Sequence, residues 1–88
     1  MFVTIRGKRW NLRFVPNLGT DNGRCDSPDT PNKTIRIQQG LGSFDELETI
    51  IHEMLHAGQW DMSEEHTAGL AHDLASAMWR LGWRKADP

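Results

Sequence analysis

The chain has 88 residues, of which 38% are hydrophobic and 25% charged, and a formal net charge of -2. That length suits one small domain with a limited core, and the net charge gives no global case for nucleic acid or an anionic membrane. The single cysteine, Cys25, excludes an intrachain disulfide and suits a reducing compartment; with no signal peptide or apolar span visible, a cytoplasmic protein without membrane contact is expected.

In chain order, Val3-Thr4-Ile5-Arg6 alternates and predicts a strand. Gly7-Lys8 is a turn signal, and the following residues to Val15 alternate again, with Trp10, Leu12 and Phe14 on one face. The pair predicts a β-hairpin. Residues 16–33 are rich in Gly, Pro, Asn and Asp and read as a long loop. Thr34–Gln38 is the third predicted strand. Ahead of Gly40 stand Arg6, Lys8, Arg9, Arg13, Arg24, Lys33 and Arg36 against three aspartates. Such a bias ordinarily means solvated surface, and a basic, partner-binding sheet face is the lesser expectation.

A helix is expected over 43–57, with Ser43 as N-cap and Glu46 closing a capping box. Leu47, Ile50, Ile51, Met54 and Leu55 form its apolar stripe. A second helix is expected over 62–83. Asp61 is the better N-cap, with Glu64 as its box partner, and Ser63 with His66 is the other choice. Its apolar face would hold Thr67, Ala68, Leu70, Ala71, Leu74, Ala75, Met78, Trp79 and Leu81. The short connection implies an antiparallel helix hairpin. The expected fold is therefore α+β, one domain over 1–88, with about three antiparallel strands packed on two helices.

His52-Glu53-Met54-Leu55-His56 reads H-E-x-x-H. Residues four apart share a helix face, so both imidazoles can grip one Zn²⁺, and the glutamate between them can take a proton from the metal's water. At about 100° per residue, His52 and His56 fall opposite the stripe, not within it. A catalytic zinc takes three protein ligands and leaves one position open. A metzincin continuation would need Gly and His where Gln59 and Met62 stand, so the third ligand must come from Glu64, Glu65 or His66. Glu64 aims along the inner face of the second helix, a costly place for a carboxylate without a partner or a metal; Glu65 and His66 point to its edges. As the box partner of Asp61, Glu64 would need no metal, so both roles stay open. His72 and Asp73 read as solvated, and Asp45, Thr49 and Asp73 are candidates to orient the ligating imidazoles.

The stretch Thr49 to Ala57, followed by Trp60-Asp61 and Glu64, resembles small zincin metallopeptidase-like proteins of the SprT-like and phage-encoded, minimal gluzincin-like type. Leu74 to Trp83, Gly7-Lys8-Arg9-Trp10 and Gly23 to Pro28 are similar to them as well. The resemblance implies a small sheet on an active-site helix, with the third ligand on a second helix. In gluzincin-like relatives that ligand is a glutamate, the position of Glu64; in SprT-like relatives it is a histidine further on, which keeps His66 in play. It also implies that strand Thr34–Gln38 borders the cleft and pairs with an extended peptide. The leading expectation is a zinc metallopeptidase with Glu53 as general base. The alternative is a non-catalytic, zinc-stabilised module that binds protein or nucleic acid through the basic hairpin.

Overall fold

The computed structural model describes residues 1–86. Strands β1 (Phe2–Ile5) and β2 (Lys8–Val15) form the expected antiparallel hairpin, with Val3 opposite Trp10. Its turn residues, Arg6 and Gly7, both have positive φ (49° and 77°), the geometry that matches the twist of a two-residue hairpin. Gly7 adopts it freely because it has no Cβ.

Two further strands, β3 (Gly23–Cys25) and β4 (Thr34–Gln38), complete a four-stranded sheet of order β1-β2-β4-β3. β4 runs parallel to β2, with Leu12 beside Ile35, and antiparallel to β3. The expectation of three antiparallel strands is thus corrected to a mixed, four-stranded sheet. Residues 16–33 are not one open loop. They supply the crossover that a parallel pair requires and contain β3, whose three residues are too few to show a period. Leu18, inside this segment, is buried; its N–H donates to Gln38 Oε1 at 2.8 Å, and Gln38 Nε2 donates to the Pro16 carbonyl.

Trp10, Leu12, Ile35 and Ile37 point to one side of the sheet and form the core with Ala57, Ile50 and Met54 of helix α1 (Ser43–Gly58). The Trp10 indole N–H is buried without a partner, a cost of about 1–3 kcal/mol that the burial of the ring itself offsets. Helix α2 (Glu64–Arg80) packs on α1 alone. The result is three layers, with α1 in the middle.

The start of α1 differs from expectation, and α2 takes the second of its two expected caps. Gly42, not Ser43, is the N-cap of α1 and makes no side-chain bond; Glu46 instead meets Lys85 at 3.5 Å. For α2 the cap is Ser63, not Asp61: its hydroxyl accepts the His66 N–H at 3.1 Å. α2 stops at Arg80, short of residue 83. Gly82 (φ 95°) bonds back to Trp79, and Trp83 to Met78, closing a Schellman motif.

The inward face of α2 is narrower than its sequence pattern. Only Thr67, Ala71 and Ala75 are buried, while Leu70, Leu74, Met78 and Leu81 remain 36–77% exposed. Small residues let α2 approach α1 closely, and no further layer covers the larger ones. Among the described residues no helix is long and apolar enough to cross a membrane.

This division predicts unequal costs for two equivalent truncations. Ile37→Ala, at a fully buried position, should cost about 2–5 kcal/mol in denaturant unfolding. Leu74→Ala, at a 40% exposed position, should cost less than about 1 kcal/mol. Equal losses would contradict the arrangement of α2.

Candidate metal centre

One turn of α1 separates His52 from His56, and their Nε2 atoms lie 3.1 Å apart. Glu64, the first residue of α2, closes the triangle: Oε1 lies 2.8 Å from His52 Nε2, and Oε2 lies 2.8 Å from His56 Nε2. All three groups offer a donor atom within 4.8 Å of the others. Donors about 2.0–2.1 Å from a tetrahedral Zn²⁺ stand about 3.3 Å from each other, so these side chains need only small adjustments to hold one cation. Two imidazoles and a carboxylate are also the donor types that such an ion takes.

Ser63 places Glu64 here. By capping α2 it starts the helix directly above the C-terminal half of α1, and the box role with Asp61 disappears. The other two ligand candidates are not part of the cluster. His66 lines a groove with Arg6, Leu55, Met62 and Leu70 on another flank, and Glu65 is solvent-exposed. Of the candidate orienting residues, Asp45 and Asp73 are exposed and Thr49 is buried. His72 is not simply solvated: its Nδ1 lies 2.6 Å from Glu48 Oε2, which ties α2 to α1 beside the centre.

Glu53 turns from the histidines toward the sheet and is only 7% exposed. Burial pushes its carboxyl up to about 7; the His52 charge opposes this, while Glu64 and Asp21 add to it. Opposite it lies Gly23 of β3. A Cβ at that position would stand 2.8 Å from Glu53 Cγ and from Thr49 Cγ2, and 3.0 Å from Glu53 Oε2. Only glycine allows this approach of strand to helix. The role of Gly23 was not visible in the sequence, where it is one of several glycines in a turn-rich stretch. The neighbouring Cys25 thiol is pushed up to about 12, by burial first and then by Glu53 and Asp26. A thiol so raised stays protonated and unreactive near neutral pH.

Two recesses meet at the cluster. One, of about 350 Å³, is bounded by Asp21, Glu48, Thr49, His52 and Glu64. The other, of about 750 Å³, is bounded by Arg24, Cys25, His56, Trp60 and Glu64. β3 runs between them as the sheet edge. The expectation that Thr34–Gln38 offers a pairing edge is corrected: β4 lies between β2 and β3, so both of its edges are already hydrogen-bonded. The sheet's edge strands are β1 and β3, and β3 is the one beside the cluster. Gln38 N–H donates to Asn22 O, and Asp26 N–H donates to Thr34 O. By antiparallel alternation the main-chain groups of Gly23 and Cys25 therefore face outward.

A pH test follows from Glu53. Without metal, the folded state holds its proton up to about pH 7, whereas the unfolded chain releases it near the ordinary glutamate value of about 4.3. Stability should therefore fall as pH rises through that window, by up to about 4 kcal/mol at about 1.4 kcal/mol per unit. Chelator-treated Glu53→Gln should match wild type near pH 4 and exceed it above pH 7 in melting temperature. A difference that does not change with pH would contradict the burial of this carboxyl.

The chain matches no protein-family model, no curated protein and no solved structure.

Proposed function

We propose that this protein is a zinc-dependent peptidase with a minimal zincin-like arrangement. The observation that carries the reading is the convergence of His52, His56 and Glu64 beside the buried Glu53 carboxyl. Zn²⁺ fits this donor set and, when bound, supplies Lewis acidity and lowers the pKa of a water it coordinates. A purely structural site has no use for a fourth, non-ligating carboxylate buried next to its ligands.

Glu53 is the general base. It follows His52 directly and lies about 100° round the helix from it, so its carboxylate faces the same cleft from the sheet side. Its carboxylate would accept a proton from the attacking water and return it to the leaving amine nitrogen. Burial against Gly23 restricts the side chain to this position and excludes bulk water from it. An extended peptide would pair with the free edge of β3 through the outward main-chain groups of Gly23 and Cys25. That path passes Glu53 and reaches both recesses.

Two experiments test this reading. In a zinc titration of metal-stripped protein, Glu64→Ala should weaken affinity by at least about tenfold, as loss of a direct ligand requires, while Glu65→Ala should leave it unchanged; His52→Ala and His56→Ala should abolish stoichiometric binding. In a fluorogenic peptide assay of zinc-loaded protein, Glu53→Gln should keep the metal and lose hydrolysis by at least about a hundredfold. Unchanged zinc affinity in Glu64→Ala would remove the carboxylate from the ligand set. Full activity in Glu53→Gln would remove the base.

A further inference from the structure

Both helices lie on one side of the sheet, and no helix covers its other side, where Thr34 is buried beside the 26–33 segment. The alternation that sends Trp10, Leu12, Ile35 and Ile37 inward sends Arg9, Asn11, Arg13 and Arg36 outward. The register aligns three of the outward residues. Arg13 of β2 lies beside Arg36 of β4, and Arg36 lies beside Arg24 of β3. At about 4.8 Å between strands, the three guanidinium groups form a row across the sheet. Asp26 holds Arg36 at 3.0 Å and Asp21 holds Arg24 at 2.8 Å. Each pair fixes its arginine while leaving other N–H groups of the fork free.

At the β1–β2 end of this face is a recess of about 540 Å³ lined by Phe2, Lys8, Arg9, Asn11, Asn32 and Lys33, with Pro28 at its margin. No carboxylate lines it. Among the described residues, Lys8, Arg9, Arg13 and Lys33 have no carboxylate partner within salt-bridge distance. Phe2 is 60% exposed, with the Arg9 guanidinium stacked 3.7 Å from its ring centre. Four of the chain's ten lysines and arginines, Arg9, Arg13, Arg24 and Arg36, point to this face, and Lys8 and Lys33, which share the strand parity of Trp10, reach the recess from its rim. The net charge of -2 conceals this gathering.

We propose that the open face of the sheet binds single-stranded nucleic acid, with phosphates on the Arg13–Arg36–Arg24 row and in the Lys8–Arg9–Lys33 recess, and a base on Phe2. Lys8, Arg9, Arg13 and Lys33, which have no carboxylate partner, match the phosphate charge, while Arg24 and Arg36 offer the N–H groups that Asp21 and Asp26 leave free. The exposed aromatic ring offers the stacking surface that unpaired bases use, and the Asn11 and Asn32 amides can meet base edges. A duplex is read by a helix or ribbon that projects into a groove, and nothing projects from this sheet. Arg24 and Arg36 also line the recess bounded by His56 and Glu64, so the surface adjoins the metal centre at the β3 edge; nucleic-acid binding there does not depend on the peptidase reading.

The test is fluorescence anisotropy with a labelled oligothymidylate of about 12 nucleotides, within the usual site size, titrated with the full chain at rising salt. Wild type should bind at about 50 mM salt and weaken linearly in log–log form. Combining Arg9→Ala, Arg13→Ala and Lys33→Ala should lower affinity more than about tenfold and flatten the slope by about 2, at about 0.7 per phosphate contact on a single strand. Phe2→Ala should weaken binding without changing the slope, because stacking releases no counterions. Arg84→Ala, at the far end of α2, is the control and should bind like wild type. Circular dichroism melts confirm that each variant is folded. The proposal is overturned if wild type does not bind at low salt, or if the triple variant binds as wild type does. It is also overturned if duplex DNA, heparin or polyglutamate binds as tightly as the single strand.

Discussion

Everything in this structure depends on how α1 divides its circumference. One arc, with Ile50, Glu53 and Ala57, lies on the sheet. Another, with Glu48 and His52, meets His72 and Glu64 of α2. Consecutive residues point about 100° apart, so His52 and Glu53 necessarily belong to different arcs while bordering the same cleft. Moving α1 by a fraction of a turn would bury a histidine in the core or expose the glutamate. The apolar contacts of Ile50, Met54 and Ala57 with Trp10, Ile35 and Ile37 prevent that rotation, so the core fixes the site.

The cluster carries a local conflict that the fold tolerates. Burial raises the cost of a charge on Glu53, and Glu64 and Asp21 add to it. The His52 charge offsets only part of it. Burying a carboxylate without a partner is among the more expensive features a small core can contain. A divalent cation held by the two histidines and Glu64 would reverse the sign of the local field and turn the same arrangement into a favourable one.

The sheet has two chemically distinct faces because its strands alternate strictly. Inward positions are large and apolar; outward ones are mostly arginine, asparagine and threonine. At β3 the inward residues are the small Gly23 and Cys25, and Gly23 lets α1 approach. Edge position, close approach and outward main-chain groups all coincide in those three residues. Two aspartates in the preceding and following turns, Asp21 and Asp26, anchor the arginines of the outer face and so link the turn-rich segment to both sides of the sheet.

The sequence alone contained the elements governed by local chemistry. The hairpin, the strand Thr34–Gln38 and both helices followed from periodicity, and His52, Glu53 and His56 from spacing on one helix, because those relations span only a few residues. Helical period put Glu64 on the face of Thr67, Ala71 and Ala75, the three residues that α2 buries, but at the first position of the helix its side chain stays 71% exposed, so the expected cost of an inward carboxylate does not apply. Tertiary structure decided the rest. Which of Ser63 and Asp61 caps α2 depended on where that helix had to begin to meet α1. That β4 lies inside the sheet depended on a parallel pairing with β2, a contact between segments some twenty residues apart that no local pattern encodes. The three-residue β3 exists only because β4 offers it hydrogen-bond partners, and Gly23 matters only because α1 lies against it. The alignment of Arg13, Arg36 and Arg24 is a matter of register between three strands. Helical and strand periods are set by backbone sterics within one segment, whereas pairing order, register and close approach are set by which segments can share one core.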